Sequence, residues 1–336
     1  MFVAMYVRRE AVLSSQIEGT QSTLEDLLAA ELGPTARTIP DDVEEIVNYV
    51  SAMNYGLLRL AELPLSLRLI REIHQELLSG GRGRHSTPGE FRTSQNWIGP
   101  PGSTLNQATF VPPPVPEMTE ALSDFEKYLH ADTGFPLLID VALTHAQFES
   151  IHPFLDGNGR VGRLLITFML VHSGAMRAPL LYLSYYFKLH RAEYYDRLMA
   201  VRQRGDWEGW VRFVLRGIAE TATQAAHTAD RLFDLREQHR TLAIEHQLGQ
   251  NALKLISLLF RRPIVNVNLV QADLDIAWAT ANKLIGQFED LGLVREITGQ
   301  RRSRVFRYDP YLALFDEPES GRDNRQARHV SGPATS

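Results

Sequence analysis

Apolar positions recur at helical spacing along most of the chain, and the places where that rhythm breaks outline the elements. A helical run from about Val3 to Glu18 stops at Gly19, and Ser22 with Glu25 then reads as an S-x-x-E capping box opening "LEDLLAAEL". Another pattern, "DDVEEIVNYVSAMNYGLLRLAEL", starts after Pro40 with Asp caps, and Ser66 opens "SLRLIREIHQELL", which ends at Gly80 and Gly81. From Gly80 to Pro116 the periodicity is lost among Gly, Pro, Ser and Asn. Two short β-like pieces, "QNWIG" and "ATFVP", flank a turn there and predict a surface loop with a small hairpin. Helical pattern resumes at "PEMTEALSDFEKYL" and "PLLIDVALTHAQFESI", where Leu137, Val141 and Phe148 are expected to share one face. A helical stretch from Tyr182 to about Gln250 is punctuated by Gly205.

After Asn251 three short helical patterns precede an alternating segment, "REITGQRRSRVFRY", the arrangement of a winged helix-turn-helix. The expected divisions are 1–64, an N-terminal helical region; 65–225, a helical core; 226–250, a connector; 251–316, the winged helix; and 317–336, a tail too poor in apolar residues to order. The fold class is mainly α with a small β-hairpin and a C-terminal winged helix domain.

Composition narrows the chemistry. The 336 residues are 44% apolar and 22% charged, enough for a sizeable core. A net charge of -5 leaves no general cationic excess for nucleic acid, so any such contact must be local. The absence of cysteine excludes disulfides, thiolate metal sites and cysteine nucleophiles. With no signal-peptide pattern and no apolar run of about 18 residues, the expected location is cytoplasmic, without a membrane partner.

The polar segment "SIHPFLDGNGRVGRLL" interrupts two apolar helices. Asp156-Gly157 and Asn158-Gly159 suit a hairpin turn, but the stripe Val161, Leu164, Leu165, Phe168, Met169, His172 requires a helix beginning near Gly159. A calcium loop fails because Thr167 stands where its last ligand should be. What fits is a glycine-rich loop entering a helix N-terminus, an anion site in which Gly157 and Gly159 allow close backbone approach. Arg160 and Arg163 are expected to project from one side of the new helix, away from its apolar stripe, with forks suited to phosphate oxygens. The ligand expected is a polyphosphate, with Asp156 as the single carboxylate that holds Mg2+ beside it. His152, where Pro153 ends the preceding helix, is placed to act as a general base.

These residues carry a resemblance. His152, Pro153, Phe154, Asp156, Gly157, Asn158, Gly159, Arg160 and Arg163 fill H-P-F-x-D-G-N-G-R-x-x-R, similar to the signature of Fic-domain proteins. "GEFRTSQNWIG" and "ATFVPPPVPEM" resemble that family's loop and flap, and the C-terminal winged helix resembles an appendage of its larger members. The resemblance implies a Fic-type helical bundle that transfers AMP from ATP to a Ser, Thr or Tyr hydroxyl of a target protein, the chain itself included. His152 would deprotonate the hydroxyl and Asp156 would hold Mg2+ bridging the α- and β-phosphates. Asn158, the loop amides and Arg160 would stabilise phosphate charge, and Arg163 would reach the γ-phosphate. Thr109, Phe110 and Val111 in the flap would pair with the incoming peptide.

Glu18 stands in the last turn of its helix, where its charge faces the negative end of the dipole. A local reading pairs it with Ser15. Ser14, Glu18 and Gly19 also resemble the family's S/T-x-x-x-E-G/N inhibitory pattern, whose Glu pairs with the second motif arginine, here Arg163. Self-association that frees Glu18 is then one expected means of control. Removal of AMP from modified proteins, and a nucleotide-sensing regulator that binds DNA, are the alternatives to transfer. In the winged helix, Thr280, Lys283 and Gln287 form an open face and the segment from Arg295 to Arg307 carries five Arg against one Glu, suited to DNA or to a protein partner.

Overall fold

The computed structural model describes residues 3–32, 40–80, 83, 85–100 and 102–315. The expectation for the tail from 317 to 336 lies outside these. Fourteen α-helices and three short strands are described, so the mainly α class holds. In chain order the helices are α1 (Val3–Ile17), α2 (Leu24–Ala30), α3 (Asp41–Arg59), α4 (Leu67–Leu77), α5 (Val115–Leu129), α6 (Leu137–Ile151) and α7 (Asn158–His172). There follow α8 (Leu183–Leu189), α9 (Arg191–Arg204), α10 (Trp207–Glu245) and α11 (Gln250–Leu259). Strand β1 (Ile264–Asn266) precedes α12 (Val267–Leu274) and α13 (Trp278–Asp290), and β2 (Arg295–Glu296) and β3 (Val305–Arg307) precede α14 (Asp309–Leu312).

The antiparallel pair α6 and α7 forms the centre, with an apolar core on each side. Ile46, Tyr49, Ile70, Ile73, Phe125, Phe148, Phe154 and Leu164 pack one core from α3, α4, α5 and the central pair. Val141, Ala146, Ile166, Phe187, Tyr194 and Trp210 pack the other, with α8, α9 and α10. Val141 and Phe148 therefore face different cores, so α6 has no single apolar face and the expected common stripe is corrected. The same enclosure changes α7. Val161, Leu164, Leu165 and Phe168 are buried as expected, but so are Ile166 and Leu170 on its far side, whereas His172 is exposed. Polar groups stitch the pair to its neighbours. The Trp210 indole N–H donates to the Ala142 carbonyl at 2.7 Å, and Nδ1 of His145 donates to the Gly162 carbonyl at 2.9 Å.

Capping differs from expectation by one residue. Thr23, not Ser22, caps α2: its hydroxyl accepts from the Asp26 amide while Asp26 returns a bond to the Thr23 amide. Both pairs fit the same spacing, and burial of Leu27 and Leu28 selects the register. Asp41 and Asp42 lie inside the first turn of α3 behind Pro40, where they oppose the dipole's positive end without capping, and α3 stops at Arg59. Ser66 caps α4 by accepting from the Leu69 amide, as expected. The expected hairpin in the long loop reduces to one antiparallel bridge, Ile98 with Phe110.

The C-terminal unit has the expected helices, with Ala281, Leu284, Ile285 and Phe288 buried on α13. Its sheet holds an additional strand, in the order β1-β3-β2, with Val265 opposite Phe306 and Glu296 opposite Phe306. The unit is not isolated, because Met5, Tyr6 and Leu13 of α1 and Leu28 of α2 belong to the same apolar cluster as Leu255, Phe288, Phe306 and Phe315. Helix α1 is thus packed between the central bundle and the winged helix.

Candidate active site

The loop from His152 to Gly157 joins α6 to α7, and its shape is set by two left-handed residues. His152 caps α6 at φ 49°, ψ 60°, and Gly157 precedes α7 at φ 75°, ψ 4°. The strain at His152, a residue with a Cβ, is held from outside: its carbonyl accepts from Nε of Arg92 at 3.1 Å, and the Pro153 carbonyl accepts from the Arg92 amide at 2.8 Å. Within the loop, Asn158 exchanges both halves of its side-chain amide with the backbone of Phe154, each at 2.8 Å. The side chain of Asn158 is therefore spent on loop shape, and only its backbone remains to face a phosphate.

His74 of α4 supports the loop from below. Its ring stacks on Phe154 at 3.7 Å between centroids, Nδ1 accepts from the Gly89 amide, and Nε2 donates to the Asp156 carbonyl at 3.0 Å. An amide donating to Nδ1 fixes the neutral Nε2–H tautomer, and burial pushes this histidine down to about 4.

The candidate base is close to the charged groups. His152 is half-buried, and its Nδ1 is enclosed with no hydrogen-bond partner among the described residues. Burial and then the Arg202 guanidinium push its pKa down to about 4, with Glu18 opposing, so the ring is neutral at pH 7. Asp156 is half-exposed; its carboxylate accepts from the Gly157 amide at 2.6 Å and from Arg160 at 3.4 Å. It is the single carboxylate of the loop, and among the described residues no cluster of three or more potential ligands exists.

Arg160 and Arg163 are buried instead of projecting free, at 5% and 2% exposure. The enclosure of α7 by both cores explains the correction: arginines on its first turn lie beneath α1 and α3. Arg160 approaches Glu45 at 3.7 Å, and its Nε and Nη1 hydrogens are buried without hydrogen-bond acceptors. Arg163 is engaged by α1 through Nε and Nη2. Its Nε donates to the Ser14 hydroxyl at 2.7 Å, and Nη2 donates to the Ser14 carbonyl at 3.0 Å and to Oε1 of Glu18 at 2.6 Å. Burial works to raise the Glu18 carboxyl, but the Arg163 guanidinium outweighs it and holds the carboxyl below its usual range. The Glu18 carboxylate lies directly on Gly159, where a Cβ would stand 2.2 Å from Oε1. Gly19, at φ 106°, turns the chain immediately afterwards.

Sequence reasoning did not find the groups that fasten this site from a distance. Arg92 reaches from the His152 carbonyl to the Pro113 carbonyl beyond the bridge, so one buried guanidinium ties the loop to the segment holding Thr109, Phe110 and Val111. Arg202 of α9 donates to the Glu149 carbonyl at 2.7 Å and covers the Phe110 ring at 3.9 Å. Glu149, one turn before His152, is buried and raised to about 7 by desolvation, with Oε1 unpartnered. These contacts join residues tens of positions apart, and no local pattern announces them.

Comparison with known proteins agrees with the geometry. Residues 64–170 match the Fic/DOC family, residues 1–58 the Fic/DOC family N-terminal region, and residues 253–306 an HTH DNA binding domain. Protein adenylyltransferase Fic of Culex quinquefasciatus is 31% identical over 208 residues, covering 59% of this chain and 37% of that protein. Its counterpart in Aedes aegypti is 32% identical over 203 residues, covering 58% and 35%. The chain thus spans little more than a third of the length of these relatives. A Fic family protein from Desulfovibrio desulfuricans G20 has a similar fold, with a TM-score of 0.57 at 19% identity over 91% of this chain and 87% of that one. Fic-1 from C. elegans aligns with a TM-score of 0.51 at 24% identity, over 68% and 63%.

Proposed function

We propose, from the match of residues 64–170 to the Fic/DOC family, that the chain is a member of it and transfers AMP from ATP to a Ser, Thr or Tyr hydroxyl of a protein, restrained by Glu18. The observation that carries this reading is the convergence, on one helix N-terminus, of a neutral imidazole, the loop amides and two buried arginines, one of them held by a carboxylate. The two relatives named above are adenylyltransferases, which supports the same reaction class.

In the reaction, a target hydroxyl attacks the α-phosphorus, the new O–P bond forms, and the bond to pyrophosphate breaks. His152 takes the hydroxyl proton, for which its neutral ring is ready at pH 7. Amides at the start of α7 and the unsatisfied Arg160 donors stabilise phosphate charge. A half-exposed carboxylate with phosphates and water fits Mg2+, and Asp156 is the residue that would hold it. That ion would neutralise phosphate charge. The segment from Thr109 to Val111 extends beside the loop and offers backbone pairing to an incoming peptide.

Glu18 occupies the Arg163 donors that a γ-phosphate would need and covers Gly159. A triphosphate entering with Glu18 in place must bend away from in-line geometry, so binding persists while transfer stalls. Residues 253–306 match a DNA-binding module, and Thr280 and Lys283 on α13 with Arg301 and Arg302 are exposed, so we assign duplex DNA as the partner of that unit.

The test is labelling by the purified Glu18→Gly variant from ATP carrying 32P at the α- or the γ-position. Label from α-ATP alone is expected on protein. Label from γ-ATP would indicate phosphoryl transfer and overturn the reading. Incubation with AMP-modified protein reads removal of AMP in the same preparation.

A further inference from the structure

A cavity of about 270 Å³ lies between α1, α2, α8 and the winged helix, and no residue of the loop before α7 lines it. Its most unusual wall is Arg9. This side chain belongs to a residue only 7% exposed, and its guanidinium sits 4.7 Å from the Tyr182 ring centroid and 5.5 Å from that of Tyr185. Among the described residues it has no hydrogen-bond acceptor and no ion-pair partner. Ring faces hold such a cation less strongly than an oxyanion would, and the guanidinium borders the open space of the cavity, where an acceptor could sit.

The remaining walls define the ligand. Among the described lining residues Arg307 also carries charge, paired with Glu25 at 3.2 Å and with Asp309 at 3.1 Å. Val12, Leu28 and Phe315 supply apolar surface to the same cavity. We infer that this cavity binds a small amphipathic anion, a carboxylate or phosphate monoester on a short apolar body, with its head on Arg9. The volume falls just below the roughly 300–1,000 Å³ of typical small-molecule pockets, which confines the ligand to the small end of that range. Because α1 forms one wall and the winged helix another, a bound ligand clamps α1. Its consequence for Glu18, a tighter brake, rests on the function proposed above; the site itself does not.

The test is calorimetry on the full chain without nucleotide, using octanoate, phenyl phosphate and neutral octanamide. At least one anion is expected to bind saturably, with octanamide at least ten-fold weaker, and the two anions show which head group is preferred. Arg9→Met is expected to weaken anion binding at least ten-fold. Leu28→Trp, which fills the cavity and leaves Arg9 in place, is expected to abolish it and serves if Arg9→Met does not fold. Hydrogen exchange of α1 amides is expected to slow with bound anion. Failure of both anions to saturate, equal affinity for octanamide, or undiminished binding by Leu28→Trp overturns the site, whatever the outcome of AMP labelling. Unchanged α1 exchange in the bound state overturns the clamp.

Discussion

At the scale of single residues, the site depends on which charges are spent and which are free. Arg163 is spent on Ser14 and Glu18, so Glu18→Gly is expected to raise AMP incorporation at least ten-fold, measured as initial rate at saturating ATP. His152 is neutral because it is withdrawn from water beside Arg202, and its base form persists until pH falls through about 4. The pH–rate profile of Glu18→Gly should therefore stay flat to about pH 5, where an unperturbed histidine, with a pKa of about 6.5, would already be mostly protonated. Replacing Arg202 by Met removes one cause of the depression and should move the acid limb upward. An acid limb near 6.5 in the parent would contradict the placement of the ring. The contact between Glu18 and Arg163 was legible because a turn of helix ending in Glu-Gly resembles a known pattern. The contacts of Arg92 and Arg202 were not, since each is made to backbone carbonyls that any residue could supply.

At the scale of elements, helix existence was legible from periodicity, and local ambiguity decided the misses. Ser22–Glu25 and Thr23–Asp26 satisfy the same capping pattern, and only packing of Leu27 and Leu28 distinguishes them. The face of α6 was misread because a helix enclosed by two cores has no polar side to fix its orientation. Arg160 and Arg163 were expected in the open for a related reason: α1 and α3, which cover them, arrive from distant sequence. The start of α7 gives a further expectation. Gly159→Ala places a methyl where Oε1 of Glu18 now lies, and the carboxylate must leave. Nucleotide-free Gly159→Ala should therefore show faster hydrogen exchange in the last turn of α1 than the parent. Equal exchange would show that Glu18 does not rest against this glycine.

At the scale of the whole molecule, buried titratable groups of opposite tendency share the interior. His74, His145 and His152 are depressed to about 4, 3 and 4, chiefly by burial, so the stability they contribute above about pH 6.5 is lost as pH falls toward their folded values. Glu10 and Glu149 are raised to about 7, so the stability their neutral forms contribute is complete below about pH 4.5 and lost as pH rises through about 7. Between about pH 4.5 and 6.5 three groups oppose two. Melting temperature should fall only gently across that window on acidification and steeply below it. Glu149→Gln should raise the melting temperature at pH 8, where the parent must bury a charge with an unpartnered oxygen, and should steepen the acid loss. The packing of α1 against both the bundle and the winged helix was the least legible feature, because it joins the first helix to the last strand and helix of the described chain. The account as a whole is tested most directly by initial rates of AMP incorporation from α-32P-ATP in four purified proteins: the parent, Glu18→Gly, His152→Ala and the double variant. A low rate in the parent, a high rate in Glu18→Gly and background in both His152→Ala proteins is the predicted result. Incorporation by the double variant equal to that of Glu18→Gly, or no gain on removing Glu18, would contradict it.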